Sequence, residues 1–336
     1  MIRVASIVKR KLLIVELWGL GDLVIATPFI RAVAGRFDVT LLAKPFALDL
    51  QVRLWPGVKV IPFAAPWTAF KNKYHFWRWP VLEMLRLRRQ LADEYFQFGL
   101  SAHAVGDPRD HLLLKMFGAQ NRIGFPRLGS QIFLTHPVPR GEPEEHRYES
   151  WHVIGQMLDV PLPQRGEIVQ PEPRGGRAVL MHSGAGQPVR VWPLERYRGL
   201  AARLRRKGFS VQVACDPDQR EWWLRAGETA VATPGTVTEL IALIDRAGAF
   251  VGNDSGPGHL AAFCGVPTFT IFGPQLPEWF APLHPAAEWI EGKACPYKPC
   301  SDYCRFPAPH CLRNITEEEV WVCVEKFATK HLRELA

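Results

Sequence analysis

Residues 251–274, VGNDSGPGHLAAFCGVPTFTIFGP, decide the fold of this 336-residue chain. An apolar run ends at Asn253-Asp254, a glycine-marked turn follows, and a short run of small residues leads to a second apolar run at 268–272. This order predicts a strand, a loop, a helix and a strand. A helix that begins beside a strand end directs unpaired N–H groups and its positive dipole end at one spot, which suits a phosphate. Asp-Ser-Gly is also typical of an ordinary N-cap, and taken alone it favours that simpler interpretation.

Two other stretches have the same order. An apolar run at 12–18 leads into GLGD at 19–22, and a run at 178–181 leads into HSGAG at 182–186. The second is followed by RVWP at 190–193 and an amphipathic helix pattern. Three glycine-marked turns after three strands predict a two-lobed α/β protein whose loops meet at one cleft.

These motifs together resemble glycosyltransferase family nine, whose best-known members are the lipopolysaccharide core heptosyltransferases. The resemblance rests on GLGD, on HSGAG with RVWP, and on DSGPGHLAA at 254–262, in that order and spacing. It implies a GT-B fold, in which two Rossmann-like domains face a central cleft and a C-terminal helix crosses back to the N-terminal domain.

The domain boundaries are expected where the composition turns polar and rich in proline and glycine, near 141–145 and 161–176. The prediction is an N-terminal acceptor-binding domain, an interdomain helix and linker, a C-terminal nucleotide-sugar-binding domain and a bracing C-terminal helix, at 1–145, 146–176, 177–315 and 316–336.

Charge and hydropathy limit the classes of binding partner and the cellular location that the sequence allows. The net charge of +8 indicates anionic partners, and the lack of a basic tail or a recognised nucleic-acid motif disfavours DNA and RNA. Charged residues interrupt the apolar N-terminal stretch, which therefore predicts neither a membrane span nor a signal peptide. We expect a cytoplasmic protein with reduced thiols, peripheral on the cytoplasmic face of the inner membrane.

A basic and aromatic segment at 67–91 has two interpretations. It either lies at a membrane interface and holds an acidic lipid-linked acceptor, or it is an ordinary helix with a leucine core stripe and solvated arginines. Under the first interpretation the acceptor-binding candidates are Gly21, Lys71, Lys73, Arg78, Arg86, Arg88 and Arg89.

Asp22 is the candidate catalytic residue. From the residues alone, its carboxylate is more simply a helix cap. The resemblance instead implies a general base that deprotonates the acceptor hydroxyl, because the matching aspartate of GLGD is the proposed base in the family.

The resemblance also implies the donor-binding residues. Arg190 stands where the family usually has lysine, and a guanidinium can still pair with the donor diphosphate. Ser183 stands where many members have proline. Asp254 is expected on sugar hydroxyls, and the remaining expected donor contacts are Gly184, Asp218, Ser255, Gly256 and His259.

No metal or other cofactor is expected for catalysis. Asp216-Pro217-Asp218 has the DxD form of metal-dependent transferases, but a proline between carboxylates fits a turn, and the family resembles metal-independent enzymes. The thiols of Cys295, Cys300, Cys304 and Cys311 offer a structural zinc or iron site. Their spacing lacks the tight pairs of common zinc modules, so reduced, packed thiols are the favoured interpretation.

The resulting hypothesis is an inverting transferase that moves a sugar, heptose from ADP-heptose, to a lipopolysaccharide core or related glycan. One alternative is a GT-B enzyme for another nucleotide sugar, either a transferase or an epimerase. The other is a non-catalytic module that binds a nucleotide or an anionic lipid.

Overall fold

The computed structural model describes residues 9–69, 76–101, 106–139, 145–172, 176–300 and 303–333. The chain divides into two compact units. The first comprises Met1–Trp18 and Ala26–Leu162, and the second comprises Gly19–Ile25 and Pro163–Ala336. The short helix α1 (Leu20–Ile25), which contains Asp22, therefore belongs to the second unit.

The first unit is built on a six-stranded parallel sheet in the order β3-β2-β1-β4-β5-β6. Its central strand β1 is buried without interruption from Leu12 to Glu16, as expected where helices cover both faces of a sheet. The strands are β1 (Arg10–Glu16), β2 (Phe37–Ala43), β3 (Lys59–Pro62), β4 (Phe98–Ser101), β5 (Asn121–Gly124) and β6 (His136–Pro137). The helices are α2 (Thr27–Arg36), α3 (Ala47–Leu54), α4 (Val81–Gln90), α5 (Pro108–Met116) and α6 (Arg147–Met157).

The second unit repeats this plan with the order β12-β11-β10-β7-β8-β9. The strands are β7 (Ala178–His182), β8 (Ser210–Ala214), β9 (Val231–Ala232), β10 (Ala247–Asn253), β11 (Thr268–Phe272) and β12 (Ala287–Glu291). The helices are α7 (Leu194–Arg206), α8 (Arg220–Arg225), α9 (Val237–Ile244), α10 (Gly256–Phe263), α11 (Pro277–Phe280), α12 (His310–Arg313) and α13 (Glu317–Arg333).

Both sheets have the doubly wound strand order. The chain first adds strands on one side of the first strand of the unit and then returns to add strands on its other side. In such sheets ligands bind outside the carboxyl ends of the strands at this reversal point. In the second unit that point lies between β7 and β10, whose carboxyl ends carry HSGAG and NDSG.

The helix α6, which was expected to connect the domains, packs inside the first unit. Its Trp151 ring lies 4.9 Å from the Phe29 ring of α2. The last helix, α13, buries Val320, Val324 and Phe327 in the core of the second unit, against α7, β10 and β12. Its bracing of the N-terminal domain stays a prediction. Among the described residues, no helix is both long enough and apolar enough to cross a bilayer.

Candidate functional site

One buried amide joins the three loops that meet at the reversal point of the second unit. The Asn253 side chain, at the end of β10, donates from Nδ2 to the carbonyl oxygens of Ser183 (2.8 Å) and Gly184 (3.3 Å). Its Oδ1 accepts the backbone N–H of Trp192 at 2.9 Å. Asn253 is fully buried, so HSGAG, RVWP and NDSG are held together by a single side chain that needs both a donor and an acceptor.

The helix α10 begins at this junction. Its N-cap residue, Ser255, is extended and makes no side-chain cap bond; its Oγ donates back to the Asn253 carbonyl at 3.2 Å. The first turn reads Gly256-Pro257-Gly258, so no bulky side chain stands over the start of the helix. An anion there meets backbone and the positive end of the dipole.

The helix α1 packs against α10 through two glycines. A Cβ placed on Gly21 would lie 2.8 Å from Cδ2 of His259, and one on Gly256 would lie 2.8 Å from Cβ of Leu20. Real Cβ atoms essentially never come so close, so a larger residue at either position would force the packing of α1 and α10 to shift. Gly21, predicted as an acceptor contact, thus lies against the imidazole of His259.

Asp22 sits in the first turn of α1 and is half-buried. Its Oδ2 accepts the backbone N–H of Gly19 at 3.0 Å, which is the cap that residue chemistry alone predicted. Within the described parts of the chain, Oδ1 of Asp22 has no hydrogen-bond partner. The negative charge of Asp22 acts on both Asp254 and His259, so one oxygen holds the loop while the other remains open beside those two groups.

Asp254 and Arg190 form the charged part of the site. Arg190 Nη1 lies 3.4 Å from Oδ2 of the buried Asp254. Burial raises the pKa of Asp254, whereas the charge of Arg190 and then that of His259 oppose this rise. The positive charge of Arg190 therefore favours the ionised form of this buried carboxyl group beside the start of α10.

His259 is buried, and burial is the main cause that lowers its pKa. The carboxylates of Asp254 and Asp22 work against this lowering. The imidazole is consequently neutral at neutral pH. Its Nδ1 is buried and has no partner among the described residues, which leaves a polar atom available to a ligand.

Buried hydrogen bonds to Gln219 and Trp223 fix the HSGAG loop. The buried Ser183 hydroxyl donates to Oε1 of Gln219 (2.8 Å) and accepts from Nε1 of Trp223 (2.9 Å). These two bonds engage the hydroxyl inside the protein, and its predicted contact with the donor stays a prediction. Gly184 lies against Asp216, since a Cβ there would be 2.3 Å from the carboxylate carbon.

Across the ranges that the structure describes, Asp218 makes no hydrogen bond to the HSGAG loop. It is exposed in the short 3-10 helix Pro217–Gln219, and its donor contact also stays a prediction. Among the described residues, no three or more His, Cys, Asp or Glu side chains are arranged to hold a metal ion.

The four cysteines of the 295–311 segment are free thiols. Cys300 Sγ donates to the Tyr297 carbonyl at 3.2 Å, and Cys304 Sγ to the Ala308 carbonyl at 3.7 Å. The spacing alone allowed a zinc or iron site. Cys295 and Cys304 act electrostatically on both Cys300 and Cys311, and the choice between packed thiols and a structural metal site stays a prediction.

The basic acceptor candidates lie in the first unit. Lys71 and Lys73 fall outside the described residues. Arg78 ends the short 3-10 helix Phe76–Arg78. Arg86, Arg88 and Arg89 are exposed along α4, and their contact with an acceptor stays a prediction.

Sequence reasoning missed Lys298, whose side chain is nearly buried and pairs with Glu291. Its positive charge acts on Asp254. The backbone explains why it is near the site, because the next-but-one residue, Cys300, donates its N–H to the Pro274 carbonyl (2.9 Å) just after β11. A lysine inside a cysteine-rich loop gave no sequence signal of its own.

A buried carboxyl in the first unit was also missed. Asp110, in the first turn of α5, is fully buried and accepts indole N–H bonds from Trp67 (3.0 Å) and Trp18 (3.3 Å). Burial, followed by the charge of Asp107, raises its pKa to about 7, and the Trp67 and Trp18 bonds and Arg109 oppose the rise. A lone aspartate near a helix start reads as a cap in sequence, and nothing local reveals its partners.

The chain is similar to known proteins over most of its length. Residues 155–308 match the family model described as Glycosyltransferase family 9 (heptosyltransferase). Lipopolysaccharide heptosyltransferase 1 of Pseudomonas aeruginosa is 28% identical over 323 residues, covering 86% of this chain and 86% of the relative.

Two solved structures show the same fold. A family 9 glycosyl transferase from Veillonella parvula superposes with a TM-score of 0.77 at 18% identity, over 96% of this chain and 98% of that one. Escherichia coli heptosyltransferase WaaC with ADP-2-deoxy-2-fluoro heptose gives 0.68 at 18% identity, over 94% and 99%. The predicted fold class is confirmed, since two parallel six-stranded α/β sheets match solved GT-B structures. The similarity to glycosyltransferase family 9 thus covers residues 155–308 in the family model and most of the chain in the relative and the two solved structures.

Proposed function

We propose that this glycosyltransferase moves heptose from ADP-heptose to a lipopolysaccharide core or a related anionic, lipid-linked glycan, with inversion at the anomeric carbon. The observation that carries the proposal is the gathering of Asp22, Arg190, Asp254 and His259 around the start of α10 in one unit. Support for the donor comes from the similarity to a heptosyltransferase solved with an ADP-heptose analogue. Support for the acceptor comes from the similarity to lipopolysaccharide heptosyltransferase 1.

The chemical step is a direct displacement. The open oxygen of Asp22 takes the proton of the acceptor hydroxyl, and the hydroxyl oxygen bonds to the anomeric carbon. The bond from that carbon to the diphosphate oxygen breaks, and ADP leaves with the electron pair. Arg190 and the N-terminus of α10 stabilise the charge that develops on the diphosphate.

The remaining residues orient the sugar and the loops. Asp254 accepts hydrogen bonds from sugar hydroxyls, and the neutral His259 offers its buried, unpartnered ring nitrogen to the donor. Ser183 acts through its bonds to Gln219 and Trp223 by fixing the loop, so that the Gly184 backbone can approach the diphosphate. None of these roles calls for a metal or another cofactor.

The test compares Asp22→Asn with Asp22→Ala. The amide oxygen of asparagine still accepts the Gly19 N–H and keeps the loop in place, but it cannot take a proton; alanine loses both properties. With ADP-heptose and a heptose-free core acceptor, Asp22→Asn should lower turnover about a hundredfold to ten-thousandfold while ADP affinity stays near wild type. Mass spectrometry of the acceptor and calorimetry with ADP provide the two readouts.

The possible outcomes separate the alternatives. Wild-type turnover in Asp22→Asn would remove Asp22 from the base role. Donor epimerisation or hydrolysis without an acceptor would indicate another nucleotide-sugar enzyme. ADP binding without turnover on any acceptor would identify a binding module.

A further inference from the structure

The helix α4 presents apolar side chains to solvent on the side away from its core contacts. It buries Met84 and Leu87 in the first unit. Yet Leu82 is 85% exposed, Val81 55% and Leu85 44%. At 100° per residue these three side chains lie within about 100° of the helix circumference, with Leu82 roughly opposite the buried pair and Val81 nearest to Met84. Trp77, just before the helix, is 68% exposed.

Basic side chains surround this apolar face. Arg86 and Arg88 project at the two edges of this apolar face, and Arg89 projects within it. All three are exposed, and none has an ion-pair partner in the described part of the chain. The one acidic residue of α4, Glu83, projects away from the apolar face. An ordinary solvated helix would place charged residues here instead of Leu82 and Leu85.

We propose that the face formed by Val81, Leu82, Leu85, Arg86, Arg88 and Arg89 docks the protein onto an anionic lipid bilayer. The apolar side chains enter the boundary between headgroups and acyl chains, while the arginines remain at the level of the phosphates. The face belongs to a single helix with basic side chains at both of its edges. This form suits a planar charged surface better than it suits a protein partner, which would require a broad complementary patch.

This inference is independent of the chemical step, although it names the surface that would bring the proposed lipid-linked acceptor to the enzyme. The occupant is the bilayer itself rather than one acceptor molecule. The arginines would therefore respond to anionic phospholipid that carries no glycan.

Vesicle co-sedimentation of the full chain tests the proposal. The probes are vesicles of phosphatidylcholine containing phosphatidylglycerol and vesicles of phosphatidylcholine alone. Wild type should bind the anionic vesicles, and binding should weaken as salt is raised. The double variant Leu82→Ser/Leu85→Ser should bind about tenfold more weakly, because two exposed apolar side chains no longer insert. The triple variant Arg86→Gln/Arg88→Gln/Arg89→Gln should lose the preference for phosphatidylglycerol.

Val52→Ser is the matched control, because Val52 is 83% exposed on α3 and lies outside this face. It should bind like wild type. Turnover on a water-soluble, lipid-free acceptor should persist in Leu82→Ser/Leu85→Ser, which separates a docking defect from a failure of the proposed transfer. Equal vesicle binding by wild type and both variants would overturn the proposal. So would a concentration-dependent dimer, seen by ultracentrifugation, that the leucine variant abolishes, because the face would then belong to a second copy.

Discussion

Replacing Asp110 by asparagine should change how the stability of the first unit depends on pH. Burial raises the pKa of Asp110 from 3.8 to about 7. Between about pH 4 and pH 7 the folded state therefore holds a proton that the unfolded chain has released, and this group's contribution to stability falls as pH rises. A shift of about three pH units corresponds to about 4 kcal/mol. Asparagine does not titrate, so the variant lacks this loss.

The neighbouring His111 works in the opposite direction. Burial lowers its pKa from 6.5 to about 4, so between those values the unfolded chain binds the extra proton and stability rises with pH. The rise is about 3 kcal/mol. In wild type the two contributions nearly cancel between pH 4 and pH 6.5, whereas in Asp110→Asn the histidine contribution stands alone.

Urea denaturation at a series of pH values measures the effect, with amide hydrogen exchange in β4 and α5 reporting on the first unit. The stability of Asp110→Asn relative to wild type should increase by about 4 kcal/mol between pH 4 and pH 7. The amide group leaves one indole N–H without an acceptor, which shifts the whole curve but not its slope. Asp93→Asn, at an exposed carboxyl, serves as the control. Parallel curves for wild type and Asp110→Asn would refute the reasoning.

Three further substitutions test the second unit. Gly21→Ala places a Cβ 2.8 Å from the His259 ring and should reduce both turnover and thermal stability, whereas Gly35→Ala, with nothing within 4 Å, should be harmless; equal melting temperatures would contradict the contact. Asn253→Ala removes three buried hydrogen bonds and should lower the free energy of unfolding by about 2–4 kcal/mol and abolish ADP binding, as read by calorimetry. Thr316→Ala breaks the capping box with Glu319 and should cost about 1 kcal/mol with kinetics unchanged, so any loss of ADP affinity would count against it.

Helices and strands were predictable where apolar residues recur with a single helical or strand spacing. The sequence predicts a helix from 194 to about 206, and α7 has these bounds. Its apolar positions repeat at helical spacing, and Pro193 marks the residue before the first helical turn. The sequence predicts a strand at 249–253, and in the structure this strand begins two residues earlier, at Ala247. The sequence also predicts the capping box of the last helix, because Thr316 and Glu319 are only three residues apart.

The site was only partly predictable, because its decisive contacts are not local. The motif GLGD lies early in the chain, and its position predicts a place in the N-terminal domain, across the cleft from the diphosphate-binding loops. The structure instead packs α1 against α10 within the second unit, a placement that depends on the absence of side chains at Gly21 and Gly256. The partners of Ser183 come from Gln219 and Trp223, which no motif marked.

The contact between Gly21 and His259 has a consequence for how related sequences can diverge. The two positions lie far apart in the chain but share one small volume, so neither can change size alone. A relative with a larger residue in place of Gly21 should carry a smaller one in place of His259, and an alignment should show the pair changing together. Grafting GLGD from one relative into another would then succeed only when the matching DSGPGH segment is moved with it.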